Sequence, residues 1–171
     1  LAHIISRLLY HPNASLSRIA LETAEAVKEQ FGHQYSQAFE LATLIRNAVT
    51  YAATPDARPV EVMERLGCYT AAQVLAGALY ACLTSLEDFD RAMIVAVNHS
   101  GRSAAVGAVT GAILGARLGE EAIPEFYLEP LEPVELLREL ADDMLQGCPM
   151  ERGNGLFDDD WDRKYIHGGR D

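Results

Sequence analysis

Apolar residues recur at helical spacing along almost the whole of this chain. No run alternates with period two for long enough to make a convincing strand. An element that buries one apolar stripe has to find another such stripe, so this pattern restricts the chain to helix packed on helix. The expectation is an all-α fold, a compact orthogonal multi-helix bundle. At 171 residues the chain supplies one good core.

The helices can be marked out by their start and stop residues. His11-Pro12-Asn13 breaks a first amphipathic helix. Ser15 or Ser17 caps a second, whose apolar positions Leu16, Ile19, Ala20, Ala24, Val27 and Phe31 end at Gly32. A third runs from Tyr35 to Ala53 and stops at Thr54-Pro55-Asp56. Pro59 sits where a first-turn proline starts a short helix through Leu66, closed by Gly67. Thr70 caps the segment from Ala71 to Leu83, which is apolar on nearly all sides and reads as a buried central helix. Ser85 is expected to start the next, with Glu87 and Asp88 in its first turn, running to Val97. A small-residue helix ends at Leu118, and a last helix begins at Pro133 and Glu135 and ends near Gln146-Gly147. From Cys148 the composition turns to Gly, Asp and Arg. The expected organisation is therefore a helical domain over 1–147 and a loop-like acidic tail over 148–171, pinned by Trp161 and Tyr165.

Charge and cysteine usage exclude several function classes. The formal net charge of -11 repels nucleic-acid phosphates and anionic lipid, and Arg and Lys are scattered rather than gathered in a basic patch. Neither nucleic acid nor membrane is an expected partner. No apolar run is long enough to span a bilayer, and no signal peptide is evident. Cys68, Cys82 and Cys148 are odd in number and show no metal-ligand spacing, which reads as reduced thiols in a cytoplasmic protein. The chain opens without Met in the middle of an amphipathic pattern, so a fragment of a longer protein is expected.

The stretch from Asn98 to Ala116 carries the most chemistry. Gly107, Gly111 and Gly115 recur every four residues, with Ala104, Ala108, Ala112 and Ala116 in the adjacent row. Together they make one helix face with almost no side-chain bulk. Each glycine costs roughly 1 kcal/mol of helix stability against alanine, which implies a close backbone approach by another helix or a ligand; tight core packing alone is the plainer explanation. Before this helix, Asn98, His99, Ser100, Gly101, Arg102 and Ser103 form a polar loop. Ser103 is placed to cap the helix, and free N–H groups at its start would suit an anion. The alternative for the loop is an ordinary turn and cap, with His99 as a local hydrogen-bonding group. The other histidines are dispersed.

At these residues the sequence resembles a known family. Val97-Asn98-His99-Ser100-Gly101, then Val106-Gly107-Ala108-Val109-Thr110-Gly111-Ala112-Ile113-Leu114-Gly115-Ala116 and Gly119-Glu120-Glu121-Ala122-Ile123-Pro124, resembles the C-terminal signature of the ADP-ribosylglycohydrolases. The segment Ala71–Tyr80 is similar to the helix that precedes it there, and the resemblance covers roughly residues 60 to 147. It implies an all-α fold and an ancestral hydrolysis of the glycosidic bond between ADP-ribose and a protein side chain or small molecule. It also implies two Mg²⁺ ions held by a Thr-Asp-Asp segment and a Gly-Asp-Ser/Thr-Asp-Ser/Thr segment.

This chain departs from that pattern twice. It contains no Thr-Asp-Asp; Asp142-Asp143 and Asp158-Asp159-Asp160 lie in other contexts and are expected to face solvent. With Gly101 on the motif glycine, Arg102 and Ala104 stand where the two aspartates belong, Ala105 replaces the hydroxyl residue, and Ser103 alone keeps its type. Mg²⁺ needs hard oxygen ligands. A guanidinium about 4 Å from a dication is repelled by roughly 8 kcal/mol at an effective dielectric near 20. No metal ligands and no cofactor are therefore expected from this chain, although Mg²⁺ is what the family implies. No carboxylate suited to activating water is evident near the loop, and the catalytic residues are unknown. Three readings stay open: a divergent hydrolase, a non-catalytic protein that binds ADP-ribose or a related nucleotide, and an all-α scaffold. An ADP-ribosylated protein is a further partner that the resemblance implies.

Overall fold

The computed structural model describes residues 1–11, 13–149 and 158–166. The chain falls into two compact units, Leu1–Pro124 and Glu125–Asp171. Among the described residues every regular element is helical.

The first unit holds α1 (Ala2–Tyr10), α2 (Leu16–Phe31), α3 (Gln37–Ala52), α4 (Pro59–Leu66), α5 (Ala71–Thr84), α6 (Phe89–Val97) and α7 (Ser103–Leu118), followed by a 3-10 turn at Glu120–Ala122. Helix α5 is the hub and packs against α3, α4, α6 and α7. Its residues from Val74 to Cys82 are all buried, as a segment apolar on every side requires. It starts at a full capping box: the Thr70 hydroxyl accepts from the Gln73 N–H, and the Gln73 amide oxygen accepts from the Thr70 N–H. Such a cap contributes about 0.5–2 kcal/mol. Ile4, Leu8, Leu16, Ile19, Ile45, Met63, Leu79, Ile113 and Leu114 complete the core around it.

Two local expectations are corrected. Ser85 does not start a helix: its N–H closes α5 on the Cys82 carbonyl, and α6 is instead capped by Asp88, whose carboxylate accepts from the Arg91 N–H at 2.9 Å. The glycine row of α7 is not a site of close approach along its length. A Cβ at Gly107 would meet Val97 Cγ1 at 3.2 Å, but at Gly111 and Gly115 nothing lies within 4 Å. Ala104, Ala108 and Ala112 are exposed.

The second unit holds α8 (Glu125–Leu128), α9 (Val134–Gln146) and α10 (Asp159–Tyr165). The tail thus contains a helix, capped by Asp158 on the Trp161 N–H; residues 150–157 and 167–171 lie outside the described residues. The Trp161 and Tyr165 rings lie against each other in a tilted pair, with centroids 4.6 Å apart and planes at 54°. Asp143 is not simply solvated: it accepts from Lys164 Nζ at 2.6 Å and from the Tyr165 hydroxyl, which holds its carboxyl below the usual range. No helix among the described residues is long and apolar enough to cross a membrane.

Candidate functional site

The loop between α6 and α7 is held by a kink that precedes α5. Gly67 and Cys68 take consecutive positive φ values of 83° and 55°, which turns the chain sharply out of α4. The Cys68 side chain is buried and packs against Gly77, where a Cβ would lie 2.6 Å from Cys68 Sγ. Burial pushes this thiol up to about 11, so it stays protonated and inert. The kink presents the Cys68 carbonyl outward, and it accepts the Arg102 N–H at 2.9 Å. Gly101 is needed here for a steric reason. A Cβ on it would lie 2.7 Å from the Gly67 carbonyl oxygen and 2.8 Å from Cys68 Cβ.

Each polar residue of the loop has a defined task. Asn98 Nδ2 donates to the Ile94 carbonyl at 2.6 Å and closes α6. His99 Nδ1 accepts the Gly101 N–H at 3.0 Å, which leaves Nε2 as the protonated nitrogen, donating to the Ala96 carbonyl at 2.9 Å. Both ring nitrogens are therefore committed inside the loop. Ser103 is the first residue of α7 and not its cap: its hydroxyl donates to the His99 carbonyl at 3.3 Å, and the cap residue is Arg102, which makes no side-chain cap bond.

Ser100 reveals a residue that sequence reasoning missed. Its N–H donates to Glu64 Oε1 at 2.7 Å and its hydroxyl to Glu64 Oε2 at 2.5 Å. These two bonds, hydroxyl first, hold the Glu64 carboxyl below its ordinary range. The Tyr69 hydroxyl donates to the Ser100 carbonyl at 3.1 Å. A carboxylate therefore does stand beside the loop, brought there from α4 across a separation of 36 residues. Its task as placed is to grip the loop.

The donors of the helix start are mostly spoken for. The N–H groups of Ser100, Gly101 and Arg102 go to Glu64, His99 and Cys68, and that of Ser103 goes to the Gly101 carbonyl at 2.9 Å. The guanidinium of Arg102 is different. It is exposed, and it has no ion-pair or hydrogen-bond partner among the described residues.

Arg102 stands on the wall of a cleft of about 730 Å³. Val27 and Phe31 of α2, Leu41 of α3, Val74 and Leu75 of α5, and Ala105 and Val109 of α7 line it, with Tyr35, Gln37 and Tyr69 among the remaining wall residues. The volume and the mostly apolar wall with few polar groups are those of a small-ligand site. Of the predicted loop residues, Arg102 alone reaches this cleft.

The donor set here does not fit a divalent ion. Arg102 and Ala104, at the positions where the resemblance places two aspartates, offer a cation and a methyl group. Among the described residues no group of three or more His, Cys, Asp or Glu is placed to hold a metal.

The sequence model of the ADP-ribosylglycohydrolase family matches residues 1–154 of the chain. No curated protein and no solved structure matches it.

Proposed function

The chain belongs to the ADP-ribosylglycohydrolase family, and from that premise we propose that it is a member without the metal-dependent hydrolysis, one that holds an ADP-ribose-type ligand through Arg102 and does not cleave it. The observation that carries this reading is the unpaired Arg102 guanidinium on the cleft wall, at a position where the family resemblance expects a metal-binding aspartate. A planar guanidinium donates a fork of N–H groups to a phosphate and needs no metal to bridge the charges. Hydrolysis additionally requires a base that activates water. Glu64 is a poor candidate, since its two bonds from Ser100 hold its carboxyl low and weaken it as a base at neutral pH. Free thiols at all three cysteines support a cytoplasmic setting.

The test is a titration of ADP-ribose into the protein and into Arg102→Ala, paired with an assay for ADP-ribose released from an arginine- or serine-modified peptide. The expected result is binding that weakens about tenfold or more in the variant, with no release by either protein. Release of ADP-ribose by the unmutated chain overturns the reading. So does binding that Arg102→Ala leaves unchanged.

A further inference from the structure

We infer that the cleft beside Arg102 takes an amphipathic anion, a carboxylate carried on an apolar body, whose head pairs with the guanidinium and whose body fills the cleft. This goes beyond the ADP-ribose reading above and rests on it in one respect, that Arg102 receives the anion of the ligand.

Charge complementarity identifies the head. Among the described residues that line the cleft, Arg102 is the only one with a charged side chain, and none carries a carboxylate side chain. The N–H groups of Ser100, Gly101, Arg102 and Ser103, in the preceding loop and at the helix start, are bonded within the protein, and the Glu64 carboxylate adds negative charge on that side. An anion entering the cleft therefore meets attraction at the guanidinium and repulsion at the loop.

The walls identify the body. Val27, Phe31, Leu41, Val74, Leu75 and Val109 present carbon to the cleft. The Tyr69 hydroxyl is turned to Ser100. Most of the wall is carbon, so an apolar chain gains by leaving water there, and Tyr35, Gln37 and Tyr69 are the polar side chains that line it beside Arg102. Two of the departures from the family pattern, Arg102 and Ala105, both line the cleft. The same changes that remove oxygen ligands leave a cation beside a methyl group, which is the pairing an amphipathic anion needs.

The probe is decanoate, titrated by calorimetry into the full chain, with decanamide as the neutral chain and acetate as the anion without one. Decanoate is expected to bind, and both controls are expected to bind about tenfold more weakly or worse. Arg102→Ala should bring decanoate down to the level of decanamide. Ala105→Asp, which sets a carboxylate beside the guanidinium, should abolish decanoate binding, with circular dichroism confirming that both variants are folded. Decanoate binding that persists in folded Arg102→Ala overturns the inference, as does absence of decanoate binding. ADP-ribose is titrated in parallel. If ADP-ribose binds through Arg102 and decanoate does not, this inference falls and the binding reading stands. If decanoate binds through Arg102 and ADP-ribose does not, this inference stands and ADP-ribose falls as the ligand.

Discussion

Replacing Gly101 by alanine tests the way the loop is positioned. The added Cβ would lie 2.7 Å from the Gly67 oxygen, 2.8 Å from Cys68 Cβ and 2.9 Å from the Cys68 oxygen. Two of these atoms are backbone, and the third is fixed to it in a buried residue, so no flexible side-chain end can yield. Relief requires the 67–68 kink and the loop to move apart, which also stretches the Arg102 N–H bond to the Cys68 carbonyl. Overpacking of this kind costs about 1–3 kcal/mol. At about 2–4 °C per kcal/mol for a chain of this size, the melting temperature should fall by roughly 2–12 °C. Gly111→Ala is the matched control, since nothing lies within 4 Å of its Cβ position in the interior of α7. It should gain about 0.4–1 kcal/mol, a rise of roughly 1–4 °C. Thermal unfolding followed by circular dichroism reads both. Shifts of the same sign, or a neutral Gly101→Ala, would refute the steric argument.

The remaining predictions address the site, acid stability and the thiols. Glu64→Ala should free the Ser100 amide, read as faster hydrogen exchange at that residue, while exchange in the middle of α5 stays slow. Arg102→Asp combined with Ala104→Asp should give only weak Mg²⁺ binding by calorimetry, since the sequence contains no Thr-Asp-Asp to complete the site; tight binding would show that the two substitutions alone emptied it. Glu25 is held down from 4.5 to about 2 by its hydrogen bonds to Lys28 and then Arg46. A lowered carboxyl stabilises the fold above its unfolded value and loses that contribution as pH falls, here between about 4.5 and 2. Glu25→Gln should therefore flatten the acid limb of a stability profile in that window; an unchanged limb would count against the pairing. Cys68 and Cys82 are buried and raised by burial, and Cys148 is exposed. Iodoacetamide should modify Cys148 alone in the folded protein, as mass spectrometry would report.

Local signals in this chain were legible because local physics decides them. Pro59 and Gly67 bracket α4 as Pro59–Leu66, and Thr70 caps α5, with bonds confined to neighbouring residues. Ser85 and Asp88 show where that reasoning fails. Both are capping types three residues apart, and the turn that bonds the Asp88 N–H to the Ser85 carbonyl gives the cap to Asp88. Glu64 was invisible for another reason: no sequence spacing joins it to Ser100, and the two meet only once α4 packs against α6 and the chain turns at Gly67 and Cys68. The glycine row of α7 was visible as a pattern, but its meaning depended on neighbours that Gly111 and Gly115 do not have.

If Arg102 does the work of a missing metal, a calorimetric titration of ADP-ribose in Mg²⁺ and again in excess EDTA will read it. The same affinity is expected in both, since the guanidinium is a fixed charge that a chelator leaves in place. Affinity that appears only with Mg²⁺, or falls about tenfold or more when EDTA is added, would contradict it.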